Sequence, residues 1–217
     1  TPNSNFNGLD QFTVTVTDDL GGTTSQIVAL TINPVDDAAI ISGDLSSTAQ
    51  EDSSISGSIN ATDVEGLTDN SYFSISSTTT DGAVTINATS GDWTYTPNTN
   101  FNGLDQFTVT VTDDLGGTTS QIVALTINPV DDTASISNAI SGNTEEDGNP
   151  ISGIIQATDV EGLTDGTYFS ISTNANNGNA TINPATGDWS YTPHTDYNGS
   201  DQFTVTVTDD LGGTTSQ

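Results

Sequence analysis

The sequence predicts an all-β chain, a linear array of tandem, immunoglobulin-like Greek-key β-sandwiches, and three observations carry that prediction. First, residues 1–39 and 96–134 differ at only two positions, Ser4/Thr99 and Ala38/Thr133. The 17 residues from Asp105 to Gln121 recur unchanged from Asp201 to Gln217. The offsets, 95 and 96 residues, are close to the roughly 100 residues of one such sandwich, so the repeating unit is a whole domain. Second, apolar and polar residues alternate at period two almost throughout, and no stretch holds a helical period. Third, Gly, Asn and Asp cluster between the alternating runs, as they do between short antiparallel strands.

In the middle copy a short first strand lies near residues 39–42, and further strands fall at 55–61, 72–76, 83–87, 93–97, 106–112 and 119–128. Alternation turns Ile55, Ile59, Phe73, Ile75, Val84, Ile86, Trp93 and Tyr95 inward. Phe107, Val109 and Val111 continue that core, and Val123, Leu125 and Ile127 close it from the last strand. Boundaries fall at Pro34-Val35-Asp36-Asp37 and Pro129-Val130-Asp131-Asp132, because each Pro ends a long last strand. The chain therefore reads as the C-terminal part of one repeat (1–35), a complete repeat (36–130) and a repeat lacking most of its last strand (131–217). Linkers this short imply neighbouring repeats in contact.

Charge narrows the function. There are 29 Asp and Glu, one His and neither Lys nor Arg. Two carboxylates about 4 Å apart repel by roughly 1 kcal/mol in water and more near a protein surface. Clustered acids therefore need an external cation or must stay apart. The same surface excludes nucleic acid, whose phosphates require Lys and Arg, and anionic lipid. Without Cys there are no disulfides and no thiolate metal sites. The absence of Lys and Arg leaves trypsin nothing to cut, and the absence of Cys and Met removes the most oxidisable side chains. Such a composition suits an exposed, oxidising, protease-rich setting. No apolar run reaches membrane length, so direct membrane insertion is not expected.

The acids fall in predicted loops or at strand ends. In a Greek key successive loops alternate between the poles of the sandwich. The loop with Asp63 and Glu65 thus shares the incoming pole with the turn Asp113-Asp114-Leu115-Gly116-Gly117. The opposite pole gathers Glu51, Asp52, Asn102 and Asp105 close to the outgoing linker. At the junction of the second and third copies these meet Asp131, Asp132, Asp159, Glu161, Asp209 and Asp210. Hard oxygen donors in this number suit Ca²⁺ better than Mg²⁺ or a transition metal. Asp-Val-Glu-Gly, at 63–66 and 159–162, is the sharper motif, since Asp-x-Glu sets two carboxylates on one side of an extended segment. Asp-Asp-Leu-Gly-Gly is also an ordinary hairpin turn, and Asp105 is equally readable as a cap on backbone amides.

Other features have structural readings. The Thr13, Thr15 and Thr17 ladder is ordinary β-propensity rather than an ice-binding array. Trp93 and Trp189 fill cores rather than stack on sugar, and His194 occupies a turn. Asp92 and Asp188 have no partner carboxylate motif for glycoside hydrolysis. With no phosphate loop, nucleophile elbow or His cluster, an enzyme is not expected.

The run Tyr95-Thr-Pro-Asn-Thr-Asn-Phe-Asn-Gly-Leu-Asp-Gln-Phe-Thr-Val-Thr-Val-Thr-Asp-Asp114, the Pro-Val-Asp-Asp linkers and Ala-Thr-Asp-Val-Glu-Gly resemble the cadherin-like, VCBS-type tandem repeats of giant secreted bacterial adhesins. The resemblance implies cadherin-like sandwich extenders, calcium at interdomain junctions and a place on the cell surface or in biofilm matrix. It favours Asp36, Asp37, Asp131 and Asp132 as linker ligands, with the pairs Asp63/Glu65 and Asp159/Glu161. The Gly-Gly-x-Gly-x-Asp nonapeptide of RTX β-rolls is absent.

These readings converge on calcium-rigidified extender repeats of an extracellular adhesin or fibre. The alternative is a module that binds polysaccharide or adheres homophilically. Expected partners are adjacent repeats of the same chain and other copies in a fibre. Residues 1–35 should form a hairpin whose apolar face, Phe12, Val14, Val16, Val28, Leu30 and Ile32, lacks a partner sheet within the chain. The third copy stops before the Ile-Val-Ala-Leu-Thr-Ile run that closes the other two, so adjoining sequence or another molecule is expected to complete both ends.

Overall fold

The computed structural model describes residues 1–138 and 141–217, and its regular elements are all strands. It forms two compact units, Thr1–Asn128 and Pro129–Gln217.

Unit one opens with an antiparallel hairpin of β1 (Gly8–Thr17) and β2 (Thr23–Ile32). Asp18 fixes its turn by accepting the Leu20 and Gly22 N–H groups at 2.9 and 2.8 Å, the local capping that makes Asp a turn residue. Phe12, Val14, Val16 and Leu30 are exposed, as the alternation predicts for a sheet with no second layer.

Eight strands follow: β3 (Ile40–Gly43), β4 (Ser46–Gln50), β5 (Ile55–Thr62), β6 (Phe73–Ser77), β7 (Gly82–Ile86), β8 (Asp92–Pro97), β9 (Gly103–Thr112) and β10 (Thr118–Asn128). They form two sheets, ordered β3-β5-β8-β7 and β4-β10-β9-β6. Ile59, Tyr95, Val109, Val111 and Val123 are sealed between them. The Trp93 ring meets Phe107 edge-on, with centroids 5.4 Å apart, a favoured aromatic geometry. Ile75, Val84 and Ile86 are only half-buried, because β6 and β7 are edge strands.

The sequence reading of seven strands is corrected at β4. The first strand splits at Gly43, whose φ of 106° takes the chain out of the first sheet. Asp44 accepts the Ser58 N–H at 2.9 Å, and the Ala124 N–H reaches the Leu45 carbonyl at 3.0 Å. The chain then runs parallel to β10, pairing Ser46 through Gln50 with Ala124 through Asn128. Ser46–Gln50 is nearly all polar, so no hydrophobic alternation marks it. A second correction concerns the acids: Asp10 and Asp105 lie inside β1 and β9, not at strand ends.

Unit two repeats the plan with β11 (Ser135–Asn138), β12 (Ile151–Thr158), β13 (Phe169–Thr173), β14 (Gly178–Ile182), β15 (Asp188–Pro193), β16 (Thr204–Thr208) and β17 (Thr214–Ser216). The sheets are β11-β12-β15-β14 and β13-β16-β17. Phe169, Trp189, Tyr191, Val205 and Val207 make its core. Among the described residues, unit two has no counterpart of β4, and residues 141–145, which align with it, form no strand.

Candidate metal centres

Each unit brings linker, loop and turn acids together at its incoming pole. In unit one, Asp63 follows β5 and turns one oxygen back on its own loop, accepting the Glu65 and Gly66 N–H groups at 2.8 and 3.2 Å. Its other oxygen, Oδ2, is buried with no hydrogen-bond partner. Glu65 Oε2 accepts the Asp37 N–H at 3.2 Å, which ties the linker to the loop. Asp113, buried at the β9–β10 turn, divides its oxygens the same way. Oδ1 accepts the Leu115 and Gly117 N–H groups, both at 2.9 Å.

Asp113 Oδ2 and both Asp36 oxygens converge on Gly117, where a Cβ would collide with all three. Gly117 is thus the floor of a carboxylate cradle. Desolvation and then the Asp113 charge push the Asp36 carboxyl above its ordinary pKa.

Unit two reproduces the arrangement. Asp159 Oδ1 accepts the Glu161 and Gly162 N–H groups at 3.0 and 3.2 Å, and Glu161 Oε2 accepts the Asp132 N–H at 3.1 Å. Asp209 Oδ1 accepts the Leu211 and Gly213 N–H groups at 3.0 and 2.9 Å. A Cβ on Gly213 would strike both Asp131 oxygens and Asp209 Oδ2. Asp132 Oδ2, Asp159 Oδ2 and Glu161 Oε1 are buried without partners. Desolvation raises Asp131 and Asp159; the next contribution from a neighbouring charge is Asp209 for Asp131, and Glu161 adds to the rise in Asp159.

Burying a charged oxygen with no partner is costly, and packing several like charges together compounds it. Neither Lys nor Arg exists to relieve it. Among the described residues no three such side chains already close around one point as a finished metal cage. The donors nonetheless fit a hard divalent cation. All are oxygen, each Asp turn holds one oxygen and aims the other away from its own loop, and the glycines let the linker carboxylates close onto the turn backbone.

Other acids singled out by sequence are engaged differently. Asp114 accepts Thr68 N–H and Oγ1–H at 2.8 and 2.7 Å, and Asp210 accepts the same groups of Thr164 at 2.9 and 2.6 Å. These bonds hold both carboxyls below the ordinary pKa. Glu51 is buried and Asp52 accepts the Asn100 N–H at 3.1 Å, so these two lie at the opposite pole with the Asn100 turn. Asn102 is exposed in that loop.

Asp105 is held by a different set of donors. It accepts Gln106 N–H, Thr80 N–H, Asp81 N–H and Tyr95 O–H at 2.8, 3.1, 3.1 and 2.9 Å. Burial alone would raise its pKa, but these donors outweigh burial and lower it. The counterpart bond from Tyr191 to Asp201 is 2.8 Å. Burial first, then Asp201, push the Tyr191 phenol up to about 12.

The folded-state pKa of Asp105 lies below its unfolded value, so its stabilisation is present above about pH 4 and lost as pH falls through the folded value. Asp105→Asn should therefore lower unit-one stability by about 2 kcal/mol at pH 7. The difference from wild type should shrink toward pH 3, and urea melts at the two pH values check this.

Sequence reasoning missed Gly117 and Gly213 as cradle floors and Thr68 and Thr164 as partners of Asp114 and Asp210. A signal for the threonines was present: Asp-Val-Glu-Gly continues as Leu-Thr in both copies.

Tandem two-sheet sandwiches of one plan, each with a carboxylate cradle over a turn glycine, define a β-sandwich repeat protein. Residues 36–129 and 131–217 each match the bacterial cadherin-like domain, and the chain belongs to that family. Residues 1–31 match a bacterial Ig domain. No curated protein matches the chain.

Solved structures share the fold. Extracellular repeats 22–24 of mouse cadherin-23 align over 100% of this chain and 75% of theirs, at 18% identity and a TM-score of 0.59. Repeats 21–23 of human cadherin-23 align over 99% and 74%, at 16% identity and 0.56. Repeats 1–4 of protocadherin gamma B7 align over 97% and 56%, at 14% identity and 0.56. The chain spans only 57% and 56% of the gamma B2 and gamma B7 protocadherin chains it matches.

Proposed function

We propose that the chain is a run of structural extender repeats of an extracellular adhesin or a surface or biofilm fibre, with calcium bound where each linker meets the repeat that follows. The observation that supports this reading is the set of buried, partnerless oxygens on Asp63, Asp132, Asp159 and Glu161 in a chain without Lys or Arg. The repeats are taken as 36–130 and 131–217, with residues 1–35 the C-terminal part of another. Asp36, Asp37, Asp63, Glu65 and Asp113 hold one ion site, and Asp131, Asp132, Asp159, Glu161 and Asp209 hold its copy. Glu51, Asp52 and Asn102 supply oxygen donors at the opposite pole. Asp105, Asp114 and Asp210 keep loops in place.

Bound calcium supplies the positive charge the sequence lacks. The chain's own part is to bring acids from the linker, the β5–β6 loop and the β9–β10 turn to one place. Linker residues held this way lose their freedom to swivel, which stiffens the array. A sugar-stacking role for the tryptophans finds no support, since Trp93 and Trp189 are 1% and 6% exposed.

Replacing Asp131 and Asp132 together by Asn should abolish calcium uptake at the unit-two site in calorimetric titration. The metal-free melting of unit two should shift by less than about 1 kcal/mol, because its core depends on other residues. Superimposable isotherms from variant and wild type would overturn the assignment.

A further inference from the structure

Asp113 and Asp114 are neighbours in one turn, yet the structure divides their work. Asp113 aims Oδ2 at the cradle over Gly117. Both Asp114 oxygens are instead taken by Thr68, through its N–H at 2.8 Å and its Oγ1–H at 2.7 Å. Thr68 belongs to the other acid-bearing segment, the loop of Asp63 and Glu65. The two segments meet again through the backbone. The Asp114 N–H donates to the Gly66 carbonyl at 3.2 Å, and the Gly66 N–H donates to Asp63 Oδ1, also at 3.2 Å. Gly66 thus joins the Asp63 carboxylate to the turn that carries Asp113. Its φ is 114°, and a Cβ there would lie 3.0 Å from Asp114 Oδ2, so the close approach suits glycine. Leu67, packed against the core, pins the loop between these contacts. Unit two repeats each part, with Thr164 on Asp210 at 2.9 and 2.6 Å and the Asp210 N–H on the Gly162 carbonyl at 3.2 Å. Gly162 has a φ of 111°, and Leu163 packs against the core.

We propose that Thr68 and Thr164 are positioning residues: by clasping Asp114 and Asp210 they hold the two carboxylate-bearing segments of each cation site together before an ion arrives. This role rests on the calcium reading above. Without an ion, Asp63 and Glu65 on one segment and Asp113 on the other repel, and the clasp is what opposes their parting. It is built from hydrogen bonds to a charged acceptor, the stronger kind. The hold also reaches the linker, because Glu65 Oε2 accepts the Asp37 N–H. With the loop and turn already joined, less order must be gained on binding.

Hydrogen exchange of the 217-residue chain tests this. Residues 60–73 and 156–169 differ in sequence, so peptides covering them report on the two units separately. Thr68→Val keeps the side chain's shape and removes only the hydroxyl donor. In EDTA it should speed exchange over residues 60–73 by about fivefold, as the loss of one hydrogen bond predicts. On titration, the calcium concentration that half-protects this segment should rise about tenfold, the lower end for removing a partner behind metal ligands. Residues 156–169, with Thr164 intact, and residues 83–96 around Trp93 should behave as in wild type, and Thr68→Ser should restore both effects. A Thr68→Val chain that exchanges in EDTA and responds to calcium as wild type does overturns the proposal. So does faster exchange over residues 83–96 by the same factor, which would make Thr68 a support of the whole fold. A wild-type chain that calcium leaves unprotected in both loops overturns the ion sites themselves, and this role with them.

Discussion

Calcium added to the metal-free chain should raise the melting temperature of each unit by about 5 to 20 °C. Extracellular calcium modules bind at roughly 10⁻⁴ to 10⁻³ M. At about 10 mM calcium, mass action on the folded state then adds about 1.4 to 2.7 kcal/mol per site. For domains of this size each kcal/mol moves the midpoint by about 4 to 8 °C. The source of that energy is local. Asp36 faces Asp113, and Asp131 faces Asp209, across glycines that leave no room for a screening side chain. Small-angle scattering should narrow on calcium addition as the linkers lose freedom. Magnesium at the same concentration should do less, because it demands octahedral geometry and keeps its waters. Melts and scattering curves that superimpose with and without calcium would sink the reading.

Gly117→Ala and Gly213→Ala should each weaken calcium binding at their own site by tenfold or more while leaving the metal-free fold intact. Neither glycine needs a left-handed backbone, so alanine is tolerated by the main chain. The three atoms nearest the new methyl group are all carboxylate oxygens. Asp113 and Asp209 are anchored by two turn N–H groups each, so the linker acids Asp36 and Asp131 must swing out. Calorimetry should show the affinity loss, and melts in EDTA should stay within about 1 kcal/mol of wild type. An alanine variant that binds calcium as wild type does would show that the cradle is not the ion's seat.

Much of this was legible because repetition and period-two alternation are strong signals. Ile59, Trp93, Tyr95 and Val109 fall in the core because a two-layer sandwich leaves alternating strand residues no other place. The sequence reading also grouped Asp63, Glu65 and Asp113 at the incoming pole, from loop alternation alone. It could not foresee β4, whose stability comes from parallel pairing with β10 and not from its own apolar residues. Nor could it separate Asp105 from Asp113, since both are Asp beside a turn. Their difference lies in the third dimension: Asp105 meets five donors from three segments, while Asp113 turns one oxygen toward another acid.

The parallel pairing of β4 with β10 has a mechanical consequence. β4 lies near the start of its repeat and β10 ends it, so tension along the chain pulls the two strands in opposite directions along their common axis. Their ladder, running from Ser46 against Ala124 to Gln50 against Asn128, is loaded in shear. All its rungs must then fail together, whereas an antiparallel pair pulled from one end unzips rung by rung. The strand with the weakest hydrophobic signature is the one placed to bear load.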